Sequence, residues 1–167
     1  MKKLALFPLL LLAILVSVGC TSPKGEGFSI YLTTGDTPVS EMPALSHVEL
    51  AEKPLISIDD IVSYTEVTHE IILTKACFGK VSELEVPVSG IAFIACVDRS
   101  PVYWGAFWSP FSSYMAPDLV TIMQPIPYEE HDCKIQLRYP LVQLSDVTDI
   151  RSDPLILDSL QQAGKLQ

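Results

Sequence analysis

The sequence predicts an α+β fold built on a mostly antiparallel sheet, and three observations carry that reading. The stretch Ile91–Ser113 (IAFIACVDRSPVYWGAFWSPFSS) holds both tryptophans, Trp104 and Trp108, and Asp98-Arg99-Ser100-Pro101 splits it into two strand-like halves. Short apolar or alternating segments punctuated by Pro, Gly, Asp and Ser recur along the chain, as strands joined by turns do. Near the end, Asp153-Pro154 and Gly164 bracket Leu155, Ile156 and Leu160, which is the punctuation of a helix start and stop. A central hairpin, one or two short helices and a C-terminal helix are therefore expected.

The chain has 167 residues, enough for one domain with a buried core. Met1-Lys2-Lys3 is a basic head, and Leu4–Val18 is apolar and uncharged. That stretch is short for a spanning helix and is flanked like the apolar region of a secretory signal. It runs into Val16-Ser17-Val18-Gly19-Cys20. This junction resembles the lipobox of bacterial lipoproteins, with a small residue directly before cysteine; Ser17 stands where that family most often has leucine. The resemblance implies that residues 1–19 are a signal peptide, that the Cys20 thiol carries lipid and that residues 20–27 form a tether. Residues 28–167 are then a single α+β domain. Each buried CH₂ contributes about 0.8 kcal/mol, so two or three acyl chains hold a protein stably on a bilayer. The expected location is the extracytoplasmic face of a cell membrane, anchored and not spanning.

Twenty Asp and Glu stand against eleven Lys and Arg, for a net charge of −9, and signal removal takes Lys2 and Lys3 with it. Nucleic acid is excluded as a partner class, because phosphate contacts need clustered basic side chains. No run of five like charges occurs, so the acidity reads as a solvated surface.

Taken in order, Phe28–Leu32 alternates and is the first strand, Thr33–Ala44 is a loop, and His47–Leu50 is a second short strand. In Pro54–Ile61, Ser57 is placed to cap a helical turn over 58–63, with Asp59 and Asp60 in its first turn, where carboxylates meet exposed N–H groups. Capping explains that acidic pair better than a metal or acid–base site, which nothing nearby completes. His69–Leu73 is a strand, followed by a short helix capped by Thr74 and ended by Gly79. Glu83–Val88 is extended, and Pro87 confines it to an edge. Ile91–Val97 is apolar on both alternating sets, as a strand covered on both faces requires. Val102–Trp108 returns beside it, with Gly105 marking a bulge or a close backbone approach. Ser109–Ala116 is a loop, Leu119–Gln124 a strand, Pro125 and Pro127 a break, and Ile135–Tyr139 a last strand.

Between Leu50 and Tyr103 the order of features is similar to the head of the first periplasmic domain of SecD, a subunit of the bacterial protein-export machinery. Pro54–Ile61 resembles that family's P-hydrophobic-T-G-D-D-L element, Ile71–Thr74 its strand ending in a Thr-capped helix, and Ala95–Val102 its strand–D-G-K–V hairpin. Ile58 stands at the family's glycine, and Arg99-Ser100 at its Gly-Lys turn. The resemblance implies an antiparallel sheet with helices and transfers no activity.

Catalytic motifs are absent from the sequence: there is no G-x-S-x-G, no second histidine one helical turn from His69, no C-x-x-C and no phosphate-cradling glycine loop. Cys96 reads as a small buried hydrophobe, and Cys77 and Cys133 are candidates for a disulfide or for two inert thiols. Glu129-Glu130-His131-Asp132-Cys133 mixes imidazole, carboxylate and thiol, so His131 and Cys133 are candidate zinc or copper ligands, against a solvated loop as the plainer reading. Phe111, Tyr114 and Met115 lie beyond the central strand, where nothing obliges them to be buried, and are candidate binding residues. No cofactor is expected. The functional expectation is a membrane-anchored, non-catalytic binding or accessory protein with a partner in the cell envelope; a small secreted hydrolase or a metal-binding lipoprotein is the alternative.

Overall fold

The computed structural model describes residues 25–114, 119–126, 132–138 and 149–167. In chain order the strands are β1 (Phe28–Leu32), β2 (Ile61–Thr65), β3 (Glu70–Leu73), β4 (Ile91–Val97), β5 (Ser100–Trp108), β6 (Val120–Met123) and β7 (Lys134–Gln136). The α-helices are α1 (Lys75–Ser82) and α2 (Pro154–Gln162).

β4 and β5 form the expected hairpin at the centre of a four-stranded sheet of order β1-β4-β5-β6. Its turn is only two residues: Asp98 and Arg99 both take left-handed φ values, 51° and 63°. Such a turn matches the right-handed twist of the strands it joins, and Asp tolerates it better than most residues. Pro101 lies inside β5 opposite Cys96, where the register shifts between Ala95 and Cys96. Gly105 marks a close approach, not that shift: a Cβ there would lie 2.4 Å from both the Phe93 ring and the Val120 carbonyl oxygen. β6 pairs parallel to β5, from Gly105↔Val120 to Trp108↔Met123.

β2, β3 and β7 make a second, antiparallel sheet. Single bridges tie the first sheet to the segments that flank the second, just past β7 and just before β2. Thr121 and Arg138 exchange N–H···O bonds of 2.8 Å, and Ile30 bonds Ile56 and Leu55 at 2.8 and 2.9 Å. Both inner faces therefore share one core, in which Phe28, Phe93 and Phe107 meet Ile61, Tyr64 and Ile71. The outer face of β1 and β4 is covered as well: Tyr31, Ile94 and Cys96 pack under Met42, Leu45, Val48, Leu50 and Trp104. That second cover is why Ile91–Val97 is apolar on both sides.

The helices obey their caps. Cys77 N–H donates to Thr74 Oγ1 at 3.3 Å, and Leu155 N–H donates to Asp153 Oδ1 at 2.9 Å. Pro154 opens α2, and Gly164, at φ 67°, follows its end. Asp60 Oδ2 accepts from the Ser57 N–H at 3.0 Å and the Ser57 hydroxyl at 2.6 Å, so the capping role expected here holds.

Several boundaries differ from expectation. The turn at Ser57 is helical only over Ile58–Asp60, after which β2 begins. Leu45–His47 is a single 3-10 turn, and Leu50 makes one bridge to Thr33, in place of a strand over 47–50. α1 runs through Gly79 to Ser82, because the burial of Cys77 and Val81 outweighs the roughly 1 kcal/mol helix penalty of glycine. Residues 83–88 form no strand. On α2, Ile156 and Leu160 enter the core, but Leu155 points outward and is 61% exposed. Among the described residues no helix is long and apolar enough to cross a membrane.

Candidate functional site: an exposed aromatic loop

The aromatic run from Tyr103 to Tyr114 divides at the end of β5. Tyr103, Phe107 and Trp108 are buried, and Trp104 is half-buried over the Tyr31–Ile94–Cys96 cluster. Beyond Trp108 the chain turns: Ser112 N–H donates to the Ser109 carbonyl at 3.1 Å, and Phe111 N–H to Ser109 Oγ at 3.3 Å. The Ser112 hydroxyl donates to the Val88 carbonyl at 2.6 Å and accepts from Tyr114 N–H at 3.1 Å. Trp108 Nε1–H reaches the Tyr114 carbonyl at 3.4 Å. These bonds fold the backbone inward and leave the rings outside, Phe111 77% and Tyr114 66% exposed, beside exposed Val88. At about 25 cal/mol per Å² of apolar surface removed from water, covering such rings would contribute a few kcal/mol to association.

A second polar constellation lies inside the fold. Tyr64 Oη and His69 Nδ1 are 2.8 Å apart, and His69 Nε2 is 3.5 Å from Asp149 Oδ2. Asp149 takes the Arg151 guanidinium through both oxygens, and Arg151 Nη1 donates to the Leu137 carbonyl at 2.7 Å. With Nε2–H facing the carboxylate, Nδ1 of the neutral imidazole accepts from the Tyr64 hydroxyl. Burial, reinforced by Arg151, lowers the His69 pKa below its usual range, and Arg151 holds Asp149 below its own. Burial raises both Tyr64 and Tyr103. His69 also sits at φ 53°, an uncommon conformation for a residue other than glycine.

An imidazole between a hydroxyl and a carboxylate has the form of a catalytic relay, but a relay must be reached by substrate. His69 is only 5% exposed and Tyr64 fully buried. Its partners make it a clamp instead: Tyr64 N–H bonds the Lys165 carbonyl at 2.7 Å, and its own carbonyl accepts from Gln167 N–H at 2.8 Å. The network thus ties the β2–β3 turn to the last two stretches of the chain. The Tyr103 hydroxyl, buried on β5, has no hydrogen-bond partner among the described residues.

Of the residues singled out from sequence, Phe111 and Tyr114 come together at the loop. Cys20, Met115 and His131 lie outside the described residues. The Cys77–Cys133 disulfide is not formed: all three described cysteines are free. The Cys77 thiol is buried at the start of α1, pointing to the Leu55 carbonyl at 3.6 Å, whereas half-buried Cys133 leads into β7 and gives its carbonyl to Leu73 N–H. Burial pushes the Cys77 and Cys96 thiols up to about 11 and about 12, so both stay protonated and inert at neutral pH. Among the described residues no group of three or more His, Cys, Asp and Glu could hold a metal ion. His47 is exposed.

Sequence reasoning missed Val88, which meets the loop through the Ser112 bond, and the His69–Asp149–Arg151 cluster, in which His69 lies far along the chain from the other two. Comparison with protein-family models, curated proteins and solved structures finds no match.

Proposed function

We propose that the protein is a lipid-anchored component of the cell envelope that acts by binding, and that the loop carrying Phe111 and Tyr114 is its binding face. The observation that carries this reading is the loop's place relative to the N-terminal segment. Gly27 N–H donates to Asp98 Oδ1 at 2.7 Å, Glu26 bonds the Tyr31 hydroxyl, and the Arg99 guanidinium lies 5.1 Å over the Tyr31 ring. These contacts pin the chain's entry to the turn end of the β4–β5 hairpin. Phe111 follows the opposite end of β5, and the eight steps from Ser100 to Trp108 span about 26 Å.

If Cys20 carries lipid, the five steps from it to Gly25 reach at most about 18 Å. The anchor then belongs to one end of the domain and the aromatic loop to the other. A loop so placed serves a partner in the envelope space, not the leaflet that holds the anchor. The SecD-like pieces, which fall on the Ser57 turn, the β3–α1 junction and the β4–β5 hairpin, agree with an envelope setting and bring no activity with them.

The test is crosslinking in intact cells, with the native chain compared with Cys20→Ala and with Phe111→Ala/Tyr114→Ala. One recurrent adduct, reduced by either change, is the expected result. A hydrolytic or redox activity of the purified protein would overturn the reading, as would membrane fractionation that leaves Cys20→Ala where the native chain is.

A further inference from the structure

We infer that the aromatic loop binds a polypeptide segment presenting Lys or Arg beside apolar side chains, the basic group set against Asp36 and Glu85 in the cleft that adjoins the rings. This names the partner chemistry of the binding face and rests on the proposed reading.

Three stretches of chain meet at the end of the first sheet opposite the Asp98-Arg99 turn. Antiparallel pairing of β4 with β5 sets Ile91 beside Phe107, so the chain entering β4 and the loop leaving β5 lie together. Ala92 N–H donates to the Thr37 carbonyl at 3.2 Å, and Pro38 bridges Ile91, which brings the loop after β1 to the same end. Between them is a cleft of 440 Å³ lined by Asp36, Glu85, Val86, Pro87 and Ile91. Val88, the residue after Pro87, accepts the Ser112 hydroxyl on its carbonyl at 2.6 Å. The cleft therefore adjoins the aromatic loop.

Backbone and packing hold this junction in shape. Gly90 N–H closes a turn onto the Pro87 carbonyl at 2.9 Å. Gly90, at φ 73°, lies so close to Trp108 that a Cβ there would be 2.5 Å from the indole ring. The same indole donates through Nε1–H to the Tyr114 carbonyl. A face held in this way binds at a smaller entropic cost than one that must first be ordered.

Charge then selects the partner. Residues 26–52, 81–98 and 100–126, which supply the cleft and the aromatic loop, contain no Lys or Arg. Asp36 and Glu85 are exposed, and neither is in an ion pair among the described residues. Lys134 and Arg138 belong to the loop's other flank, toward β6, where they share a cleft with Pro110; Lys134 is paired there with Glu70. The flank toward β4 is thus acidic without a cation of its own. It repels phosphate headgroups and other polyanions and is complementary to a basic side chain. The exposed rings suit the same partner, because they cover apolar neighbours and their faces attract a cation.

The experiment selects random decapeptides on the full chain in nanodiscs. The native chain is compared with Asp36→Asn/Glu85→Gln, Glu52→Gln/Asp158→Asn and Phe111→Ala/Tyr114→Ala. Asn tolerates the left-handed backbone of Asp36, φ 52°, and the second pair removes two exposed charges outside the cleft. Expected is enrichment of peptides with Lys or Arg beside aromatic or aliphatic residues. They should bind Asp36→Asn/Glu85→Gln about tenfold more weakly, corresponding to about 1.4 kcal/mol, and Glu52→Gln/Asp158→Asn as the native chain. Added salt should narrow the difference, and selection repeated on Asp36→Asn/Glu85→Gln should keep the apolar positions and lose the basic one. No enrichment, or equal weakening by the two charge pairs, would overturn the inference. Peptides lost with Phe111→Ala/Tyr114→Ala but indifferent to Asp36→Asn/Glu85→Gln would keep the binding face and remove the basic partner. Basic peptides indifferent to Phe111→Ala/Tyr114→Ala would remove the binding face itself. Capture of phosphatidylglycerol vesicles through the two rings would make the face a lipid surface and overturn the inference as well. Cys20→Ala in detergent should select the same peptides, so an anchoring failure leaves this result standing.

Discussion

Two tyrosines facing the same interior should respond in opposite directions to the loss of one oxygen atom. Tyr64→Phe removes the hydroxyl 2.8 Å from His69 Nδ1 and strands a buried acceptor. An unsatisfied buried polar group costs about 1–3 kcal/mol, and that range is the expected loss of stability. Tyr103→Phe removes a hydroxyl that is itself stranded, on a side chain 4% exposed. Its removal should stabilise the fold by about 1 kcal/mol, toward the lower end of that range because a small void replaces the oxygen. The two changes are chemically identical, so their effects on the unfolded chain cancel in the comparison. Urea denaturation should show the midpoints moving apart with an unchanged slope. In a chain of this size each kcal/mol corresponds to about 2–4 °C in Tm. Midpoints that shift in the same direction would refute the assignment of one bonded and one orphaned hydroxyl.

The His69 clamp makes stability depend on pH in a definite direction. Burial lowers the folded-state pKa of His69 below its ordinary 6.5, so as pH falls the unfolded chain takes up the proton first. Its contribution is complete above about pH 6.5 and is lost as pH drops toward the lowered value, with Asp149 adding a loss in the same direction below its ordinary 3.8. His69→Asn, which tolerates the left-handed backbone, should remove the slope just below pH 6.5 in urea titrations, and an unchanged slope would assign it to another group. Gly105→Ala should destabilise by about 1–3 kcal/mol or more, since one of the atoms it meets is a backbone oxygen that cannot swing aside. Ile156→Ala should cost about 2–4 kcal/mol and Leu155→Ala within about 0.5 kcal/mol, a contrast that thermal unfolding of the two variants reads directly.

Much of this was legible locally. The Asp98-Arg99 turn, the Thr74 and Asp153 caps, the Ser57–Asp60 pairing and the Pro154 and Gly164 boundaries are decided by contacts within a few residues, and each is found where the residue types point. The exposure of Phe111 and Tyr114 was legible for the same reason, because prolines and serines beyond β5 end the strand before those rings can be drawn inside.

Residue order by itself determined the α+β class, the central hairpin and the caps, because turn geometry, capping and alternation are short-range effects. Tertiary structure alone decided that β6 runs parallel to β5 and that Thr121 on β6 bridges Arg138, just past β7. It also decided that α1 continues through Gly79, that Leu155 faces out, that Cys77 and Cys133 stay apart and that His69 meets Asp149. Each of these depends on which distant surfaces compete for burial and for backbone partners. That competition is settled only when both sheets close on one core.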